Sequence, residues 1–571
     1  MREEARIREP GLDDGSARAR TAERNLRRSH TRGWAWKLAY AAAFCVLAWM
    51  TLWNLGEFPV RSFDEARHAV NAYEMLRNGN LLVNTYEDAP DMWNLKPPLS
   101  FWAVMAGYRV LGLNAWGLRV PMAACYLAMA AMLAAFARRR LGAAEGLAVL
   151  VASLGMTRPM AFHFARSGDP DALYLLLLCA AMLCLSGWRR KRGLVYPTGL
   201  LIGLAFLAKS WHALAMLPVV AAYLALTGQI RGWRAREVLG FLGCAVAPPL
   251  LWALARTMAD GNAGFVASAL GYDLVARGST VIEGHAERAD FYPRVVLGDY
   301  GCLAVVALAL GTWLMGRLSK GAHANGGASG HPQGQAGPGS RASKDSETDP
   351  RGQRELRDPL GRREPRGQRD RRELRELRDL QILAAAWVLV PFACYQLAAS
   401  KIYHYVFCIW PALMLVAALA THELLALRPR LSGPRQAATL AGVAGCLVVL
   451  ALGVRANAAN ALAGATPGSA DMGSNPALQL ALEQAADELP RGVALYYQDS
   501  PGNQATTDMS QDGVAVAEWT SDAHVRPGGI AAFLASGTPA TLVLPQSQLG
   551  NHPELRSYAS TSHGGFAFVS R

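Results

Sequence analysis

The stretch WAWKLAYAAAFCVLAWMTLWNLGEFPVRSFDEARHA (residues 34–69) decides the fold class, because it joins a long apolar run to an abruptly polar segment. The apolar run begins near Trp34 and is about 20 residues long, which is enough for a helix to cross a bilayer. It follows the charged, Arg-rich residues 1–33 and lies too far along the chain for a typical cleavable signal peptide. We therefore predict a retained first membrane span followed by a polar outer loop at residues 55–98.

The composition of the whole chain agrees with a membrane protein. Of its 571 residues, 52% are hydrophobic, and long apolar runs recur. The net charge of +13 comes from Arg and Lys beside these runs, as expected of cytoplasmic loops and not of a nucleic-acid-binding surface. The nine cysteines lie in predicted spans without CxxC spacing, so they indicate neither a disulfide framework nor a zinc site.

Eleven apolar runs are candidate spans, and the total could be twelve or thirteen. They lie at roughly 34–54, 116–137, 143–160, 171–188, 195–208, 210–227, 236–255, 297–317, 380–398, 402–425 and 436–456. The run 99–113 is predicted to be an interfacial helix, because a span there would place Arg138–Arg140 on the outer side. With the N-terminus in the cytoplasm, the Arg-rich turns are cytoplasmic and the loop 55–98 lies outside.

The sequence therefore predicts a mainly α fold, a polytopic helical bundle in the membrane with a C-terminal soluble α/β domain. The segments are a basic cytoplasmic stretch 1–33, a membrane core 34–317, a flexible mixed-charge cytoplasmic insertion 318–379, the last spans 380–456 and an outer domain 457–571. In the outer domain we expect helices near Pro476–Glu488 and Gly529–Leu534 and strands near Val493–Gln498, Val514–Trp519 and Ala540–Leu544.

The outer loop 55–98 carries the first candidate functional residues. Asp64 and Glu65 are adjacent, so on a helix they point in different directions, and one could face a substrate while the other caps the helix or forms a salt bridge. Arg67 lies one turn beyond Asp64 and could pair with it or bind an anionic ligand. At the end of the loop, two prolines after Lys96 fix an extended backbone that delivers this lysine to the start of the interfacial helix. Alternatively, Lys96 only extends its ammonium group to the membrane surface.

Five further outward-facing residues are candidates for binding. Arg166 and Asp169 share a turn in which Asp169 could also be an ordinary helix cap. Lys209 and Lys401 each interrupt apolar sequence, where a cation is costly unless it pairs or reaches the interface. His285 lies in the long outer loop 256–296 and could contact phosphate or a metal ion, although a lone loop histidine usually does neither. Cations and carboxylates converging on one face indicate a phosphate-bearing ligand and an acid–base group.

These motifs carry a resemblance to one family. They are Asp64-Glu65-Ala66-Arg67-His68-Ala69, Lys96-Pro97-Pro98-Leu99, Trp116-Gly117-Leu118-Arg119-Val120-Pro121, Arg166 with Asp169, Phe206-Leu207-Ala208-Lys209, and Ser400-Lys401 followed by Tyr405 and Pro411. In this order the chain resembles membrane glycosyltransferases of the GT-C fold, in the aminoarabinose-transferase and protein-O-mannosyltransferase-like group (glycosyltransferase families 39 and 83). The resemblance covers roughly residues 34–456.

The resemblance implies transfer of a sugar from a polyprenyl-phosphate carrier to an acceptor outside the membrane, either lipid A, a protein or another glycan. It implies a bacterial inner-membrane enzyme with its active site on the periplasmic face. Asp64 would be the catalytic carboxylate. The substrate-binding residues would be Glu65, Arg67, Lys96, Arg166, Asp169, Lys209, His285, Lys401 and Tyr405.

No cofactor is predicted, and a divalent metal is left open because no ligand cluster stands out in the sequence. Two features depart from the family, namely Ser210 where glycine is usual and the long insertion 318–379. The alternatives are a secondary transporter, whose ionisable residues should lie near the bilayer midplane on interrupted helices, and a non-catalytic lipid- or glycan-binding membrane protein.

Overall fold

The computed structural model describes residues 13–160, 163–262, 264–276, 279–280, 287–326, 366–428, 431, 433–464, 474–498 and 511–571. Across these residues the chain is mainly helical, and its larger β-sheet lies in the C-terminal region. The predicted fold class, a membrane helical bundle followed by an α/β domain, is confirmed.

Eight helical segments among the described residues are long and apolar enough to cross a membrane. They are Gly33–Leu52, Ala115–Arg140, Arg192–Leu226, Ala235–Asp260, Tyr300–Leu318, Gln368–Leu397, Tyr403–Leu427 and Gly433–Leu462. Shorter apolar helices cover Leu99–Leu111, Ala143–Gly155 and Asp171–Ser186. Ten of these eleven segments, all except Leu99–Leu111, match predicted runs. The segment Arg192–Leu226 contains two predicted runs, which accounts for all eleven.

The helices of the membrane part are α1 (Asp13–Leu52), α2 (Asp64–Arg77), α3 (Leu99–Leu111), α4 (Ala115–Arg140), α5 (Ala143–Gly155), α6 (Asp171–Ser186), α7 (Val195–Lys209), α8 (Met216–Leu226), α9 (Ala235–Asp260), α10 (Gly264–Ser268), α11 (Phe291–Leu297), α12 (Tyr300–Gly326), α13 (Arg366–Leu397), α14 (Trp410–Leu427) and α15 (Gly433–Leu462). Short 3₁₀ helices cover Arg158–Met160, Arg192–Leu194, Ser210–Ala215, Gln229–Gly232 and Tyr403–Ile409, and a π-helix covers Ala269–Ala276. The strands β1 (Thr85–Tyr86) and β2 (Ala89–Pro90) form a small antiparallel hairpin in the outer loop.

The chain then folds into the C-terminal domain. Its elements are α16 (Pro476–Gln484), β3 (Ala494–Tyr497), α17 (Gln511–Ser521), β4 (His524–Arg526), α18 (Gly529–Ala535), β5 (Ala540–Pro545), α19 (Gln546–Leu549), a 3₁₀ helix (Pro553–Ser557), β6 (Ala559–His563) and β7 (Phe566–Ser570).

Helices α3 and α4 pack closely because glycines meet at their contact. A Cβ atom on Gly107 of α3 would lie 2.1 Å from the carbonyl oxygen of Gly117 on α4. Helix α4 begins one residue after Asn114, whose side chain accepts a hydrogen bond from the Gly117 N–H at 2.9 Å. These contacts hold the start of α4 beside the end of α3, on the side of the molecule where the outer loop lies.

The structure differs from the expected flexible insertion at residues 318–379. Helix α12 continues to Gly326 and helix α13 already begins at Arg366, whereas residues 327–365 lie outside the described residues. The first turns of α13 carry Arg and Glu four residues apart, as in the Arg369–Glu373 pair, a spacing that supports a helix. Glu376 of α13 also binds Arg140 and Arg190, which belong to the Arg-rich turns.

The C-terminal sheet has the strand order β4-β3-β5-β7-β6. Strand β3 pairs in parallel with β4 and β5, while β7 pairs antiparallel with β5 and β6. Gly564 and Gly565 connect β6 to β7 with φ values of +55° and +85°, as a two-residue turn with both central residues left-handed requires. The predicted strands near Val493–Gln498 and Ala540–Leu544 and the predicted helices near Pro476–Glu488 and Gly529–Leu534 are present.

The predicted strand Val514–Trp519 is wrong, because these residues form part of helix α17. Alternating valine and alanine suggested a strand, yet residues 512–518 are all buried, since α17 packs between α2 and α16. A helix buried on opposite faces shows no polar stripe, so its periodicity cannot be distinguished from that of a buried strand.

The C-terminal domain is attached to the outer loop by polar contacts. The Gln479 side chain donates to the Val60 carbonyl at 2.8 Å and accepts from the Val60 N–H at 2.9 Å. Asp88 of the loop contacts His524 at 2.8 Å and Arg526 at 2.9 Å. The outer loop, which holds the first candidate functional residues, therefore also contacts the C-terminal domain.

A buried carboxyl group at this junction gives a prediction about pH. Glu518 of α17 is 1% exposed, and burial together with the neighbouring Glu74 raises its pKa well above the usual value. The folded state therefore keeps this proton while the unfolded chain releases it above about pH 4.3, so the stabilisation is lost as the pH rises. Each pH unit over which only the unfolded state ionises costs about 1.4 kcal/mol.

We expect Glu518→Gln, which cannot ionise, to reduce the fall in thermal midpoint between pH 5 and pH 8. Thermal unfolding of the purified protein at both pH values measures this effect. Asp487→Asn, which removes an exposed carboxylate from the same domain, is the matched control and should leave the fall unchanged. Equal falls in the wild type and Glu518→Gln would contradict the assignment.

Candidate active site

The two ends of the outer loop meet at an ion pair. Asp64 is the first residue of α2, and its Oδ1 lies 3.2 Å from Nζ of Lys96, which also donates to Asn94 Oδ1 at 3.0 Å. Burial alone would raise the pKa of Asp64, but Lys96 and His163 lower it below its usual value. The Asp64 side chain remains 29% exposed, so this carboxylate is ionised and accessible.

A histidine that the sequence analysis did not select completes the cluster. His163 Nε2 lies 3.8 Å from Asp64 Oδ2, and its Nδ1 lies 3.1 Å from Asp169 Oδ2. Burial would lower the pKa of His163, but Asp169 and Asp64 raise it above its usual value. Ser167 Oγ donates to Asp169, which fixes this second carboxylate.

Asp64, His163 and Asp169 could hold a metal ion, since one donor atom from each lies within 4.8 Å of the others. Two carboxylate oxygens and one imidazole nitrogen suit a divalent cation such as Mn²⁺ or Zn²⁺. This cluster could not be predicted from the sequence, because Asp64 is about a hundred residues away from the other two.

Three non-glycine residues at the site have positive φ angles. Phe63, immediately before Asp64, has φ +63°, His163 has +68°, and Ser210, immediately after Lys209, has +56°. Such conformations cost about 1–3 kcal/mol each and are concentrated at functional sites. Ser210 stands at the position where the family usually has glycine, and its positive φ explains why glycine suits that position.

Lys209 has a carboxylate partner that the sequence did not suggest. Its Nζ lies 2.5 Å from Asp171 Oδ1, and both side chains are buried. Lys209 ends α7 and Asp171 begins α6, so the pair joins two membrane helices at the side where Asp64 lies.

Glu65 is fully buried and belongs to the framework of the site. Arg119 binds it through Nε at 2.7 Å and Nη2 at 3.0 Å, and the Gly168 N–H donates to it at 2.9 Å. Arg119 also donates to the carbonyls of Leu55 and Phe58, both at 2.9 Å. Burial raises the pKa of Glu65, but Arg119 outweighs this effect and the net shift is downward. These contacts hold Glu65 in the framework of the site, and its predicted role in substrate binding stays a prediction.

Arg166 and Arg67 are likewise occupied by the protein. Arg166 is buried, and its Nη1 donates to three carbonyls at the end of α1, including that of Met50 at 2.9 Å, so it caps this helix. Arg67 pairs with Asp91 at 2.8 Å and not with Asp64, and its guanidinium stacks on Tyr86. Arg166 therefore contacts the end of α1 and Arg67 contacts the outer loop, and the predicted role of both residues in substrate binding stays a prediction.

The remaining predicted residues lie apart from the ion pair or outside the described chain. Lys401 donates to the Ala398 carbonyl at 3.0 Å. The Tyr405 ring packs against His212 with centroids 4.7 Å apart. Tyr403 lies nearer the cluster, with its ring 5.7 Å from that of His163. His285 falls outside the described residues.

Comparisons with known proteins agree with this architecture. The family described as dolichyl-phosphate-mannose-protein mannosyltransferase matches residues 95–252. The crystal structure of ArnT from Cupriavidus metallidurans in the apo state is 17% identical, covers 95% of this chain and 98% of that chain, and has a TM-score of 0.60. The structure of the same protein bound to undecaprenyl phosphate is 16% identical, covers 94% and 98% of the two chains, and also has a TM-score of 0.60. Curated proteins gave no match to the sequence.

The chain is therefore a multi-pass membrane protein with the GT-C fold of membrane glycosyltransferases. The resemblance recognised from the paired loop motifs is confirmed at the level of the fold, and the superposition extends through the C-terminal domain.

Proposed function

We propose that this protein transfers a sugar from a polyprenyl-phosphate carrier to an acceptor on the side of the membrane where the outer loop lies. The observation that carries the proposal is the Asp64–Lys96 pair, which places a partly exposed carboxylate and an ammonium side by side. The match to a family named for dolichyl-phosphate-mannose and the undecaprenyl phosphate in one ArnT structure support a lipid-phosphate donor.

The proposed reaction is a displacement at the anomeric carbon. Asp64 accepts the proton of the acceptor hydroxyl, whose oxygen forms a bond to the sugar C1 as the bond from C1 to the carrier phosphate breaks. The phosphate leaves with the bonding electrons, and the Lys96 ammonium stabilises its negative charge. If the acceptor is itself a phosphate, as in a lipid A modification, no base is needed and Asp64 positions the acceptor or balances charge.

A groove on α3 suits the carrier's apolar tail. It has a volume of about 340 Å³ and is lined by Leu81, Trp102, Met105 and Val110 together with Arg109. Helix α3 starts three residues after Lys96. A carrier whose phosphate binds at Lys96 could therefore lay its tail along α3.

The orientation of the protein follows from its charges. Arg138–Arg140 end α4, whereas Arg119 near its start binds Glu65 beside Asp64. The positive-inside rule supports an orientation with the Arg-rich end in the cytoplasm and the site on the outer face, which would be the periplasm in a bacterial inner membrane.

Lys96→Met should lower the turnover number by about 10²-fold, because removal of one group that stabilises developing charge typically costs this much or more. The assay is the steady-state transfer of labelled sugar from a polyprenyl-phosphate donor by purified protein. Lys191→Met, which removes an exposed lysine from an Arg-rich turn, is the matched control. Turnover within twofold of wild type for Lys96→Met would contradict the role given to Lys96.

A further inference from the structure

A second groove lies at the opposite end of the membrane part. It has a volume of about 560 Å³ and runs between α1, α4 and α5. Tyr40 and Phe44 of α1 line one side, and Ala131, Ala134 and Ala135 of α4 line the other. The small alanine side chains leave the space that larger residues would fill, so the groove is an apolar channel on a helix surface.

Two arginines from the last turn of α4 also line this groove, namely Arg138 and Arg139. Both are exposed, and neither has a carboxylate partner among the described residues. Arg138 stacks on the Tyr40 ring at 5.3 Å, and the Tyr40 hydroxyl donates to the Ala143 carbonyl at 2.9 Å. The aromatic ring therefore holds one guanidinium at the groove.

Four other arginines on this side of the protein are paired with carboxylates. Arg140, the next residue, binds Glu376, and so does Arg190. Arg189 binds Asp379 at 2.8 Å and Arg192 binds Glu237 at 2.6 Å. Arg138 and Arg139 differ from these four arginines because they have no carboxylate partner among the described residues and line an apolar groove, so their charge is available to a ligand there.

We propose that this groove binds one phospholipid with an anionic headgroup. The phosphate lies between Arg138 and Arg139, and an acyl chain lies along Ala131 and Ala135. Charge complementarity favours this occupant, because two adjacent cations next to an apolar channel at the cytoplasmic face match an anionic lipid. A lipid without net charge would leave the charge of the two guanidinium groups unbalanced. The site lies at the far end of α4 from Asp64, so it is independent of the proposed reaction.

Native mass spectrometry of the purified full chain in detergent tests the proposal. Phosphatidylglycerol and phosphatidylcholine are titrated separately, and the fraction of protein that retains one lipid is measured. We expect phosphatidylglycerol to be retained, and we expect the affinity for phosphatidylcholine to be lower by roughly 10-fold or more. The double variant Arg138→Gln/Arg139→Gln should lose this preference.

Two further variants separate the groove from general surface charge. Arg231→Gln/Arg236→Gln removes two exposed arginines from another Arg-rich turn and should keep the preference. Ala135→Trp fills the channel without changing any charge and should reduce retention. Equal retention of both lipids, equal loss in the two double variants, or undiminished retention by Ala135→Trp would each overturn the proposal. Thermal midpoints close to that of wild type confirm that each variant is folded.

Discussion

Replacing Asp64 with asparagine should lower the rate of sugar transfer by about 10²- to 10⁴-fold, the usual contribution of a general base. Asparagine has nearly the shape of aspartate and keeps an oxygen that accepts from Lys96, but it cannot take a proton. The wild-type side chain is 29% exposed and asparagine can keep the contact with Lys96, so the protein should still fold. Loss of activity would then report on chemistry and not on stability.

The measurement has two parts. Transfer of labelled sugar by the purified variant gives kcat and KM, and mass spectrometry of polyprenyl-phosphate sugars in cells carrying only the variant shows whether one lipid-linked donor accumulates. Accumulation would identify the donor. Asp290→Asn, which removes an exposed carboxylate that pairs with Arg288 and Arg294, serves as the control and should keep full activity.

Other outcomes have distinct meanings. Near-complete activity in a folded Asp64→Asn variant would contradict the general-base role. A raised KM with unchanged kcat would assign Asp64 to positioning, as expected for a phosphate acceptor that needs no base. Labelled sugar that crosses sealed vesicles without becoming attached to a product would favour the transporter alternative.

The sequence predicted the two ends of the site because each is a compact motif. Asp64 begins the first helix after the apolar span that ends at Leu52, and Lys96 precedes two prolines that fix the backbone before α3. Both signals are local, so the general placement of these residues followed from the chain itself. The predicted topology put both residues on the outer face, but their direct contact was not predicted.

The partners of the other charged residues could not be predicted. Arg67 finds Asp91 across the loop, and Arg166 finds the carbonyls at the end of α1, more than a hundred residues earlier in the chain. Nothing in a single sequence states which cation meets which acceptor once the helices pack. The cations near the site therefore cannot be told apart from the sequence, because their partners are set by the packing of the helices.

His163 was missed for a related reason. It is one polar residue in a turn that also contains Arg166 and Asp169, and its importance depends on a positive φ angle that turns it toward Asp64. A backbone conformation of this kind leaves no sign in the sequence when the residue is not glycine or asparagine. Only the packed helices reveal that the histidine joins two carboxylates.

The buried pair Arg119–Glu65 is where we expect the largest loss of stability. Both side chains are fully buried, and the guanidinium also binds backbone carbonyls of the segment between α1 and α2. Arg119→Met leaves the Glu65 carboxylate without its partner in a site closed to water. Breaking such a pair from one side costs about 3–5 kcal/mol, enough to remove much of the stability of an ordinary domain.

Thermal unfolding and the yield of folded protein in membranes measure this loss. Arg369→Met breaks an exposed pair with Glu373 on α13 and should change stability by less than about 0.5 kcal/mol, so it is the matched control. A midpoint for Arg119→Met equal to that of the control would show that the buried pair does not stabilise the loop.

The double variant Arg119→Met/Glu65→Gln separates the two contributions to this loss. If the cost comes mainly from the unpaired carboxylate, adding Glu65→Gln should restore part of the stability, because the buried charge disappears. If it comes mainly from the carbonyls of Leu55 and Phe58 that Arg119 no longer binds, the double variant should be no more stable than Arg119→Met alone. Since Glu65 follows Asp64 directly in α2, either result should be accompanied by lower transfer activity per folded molecule, as the helix that carries the proposed base loses its anchor.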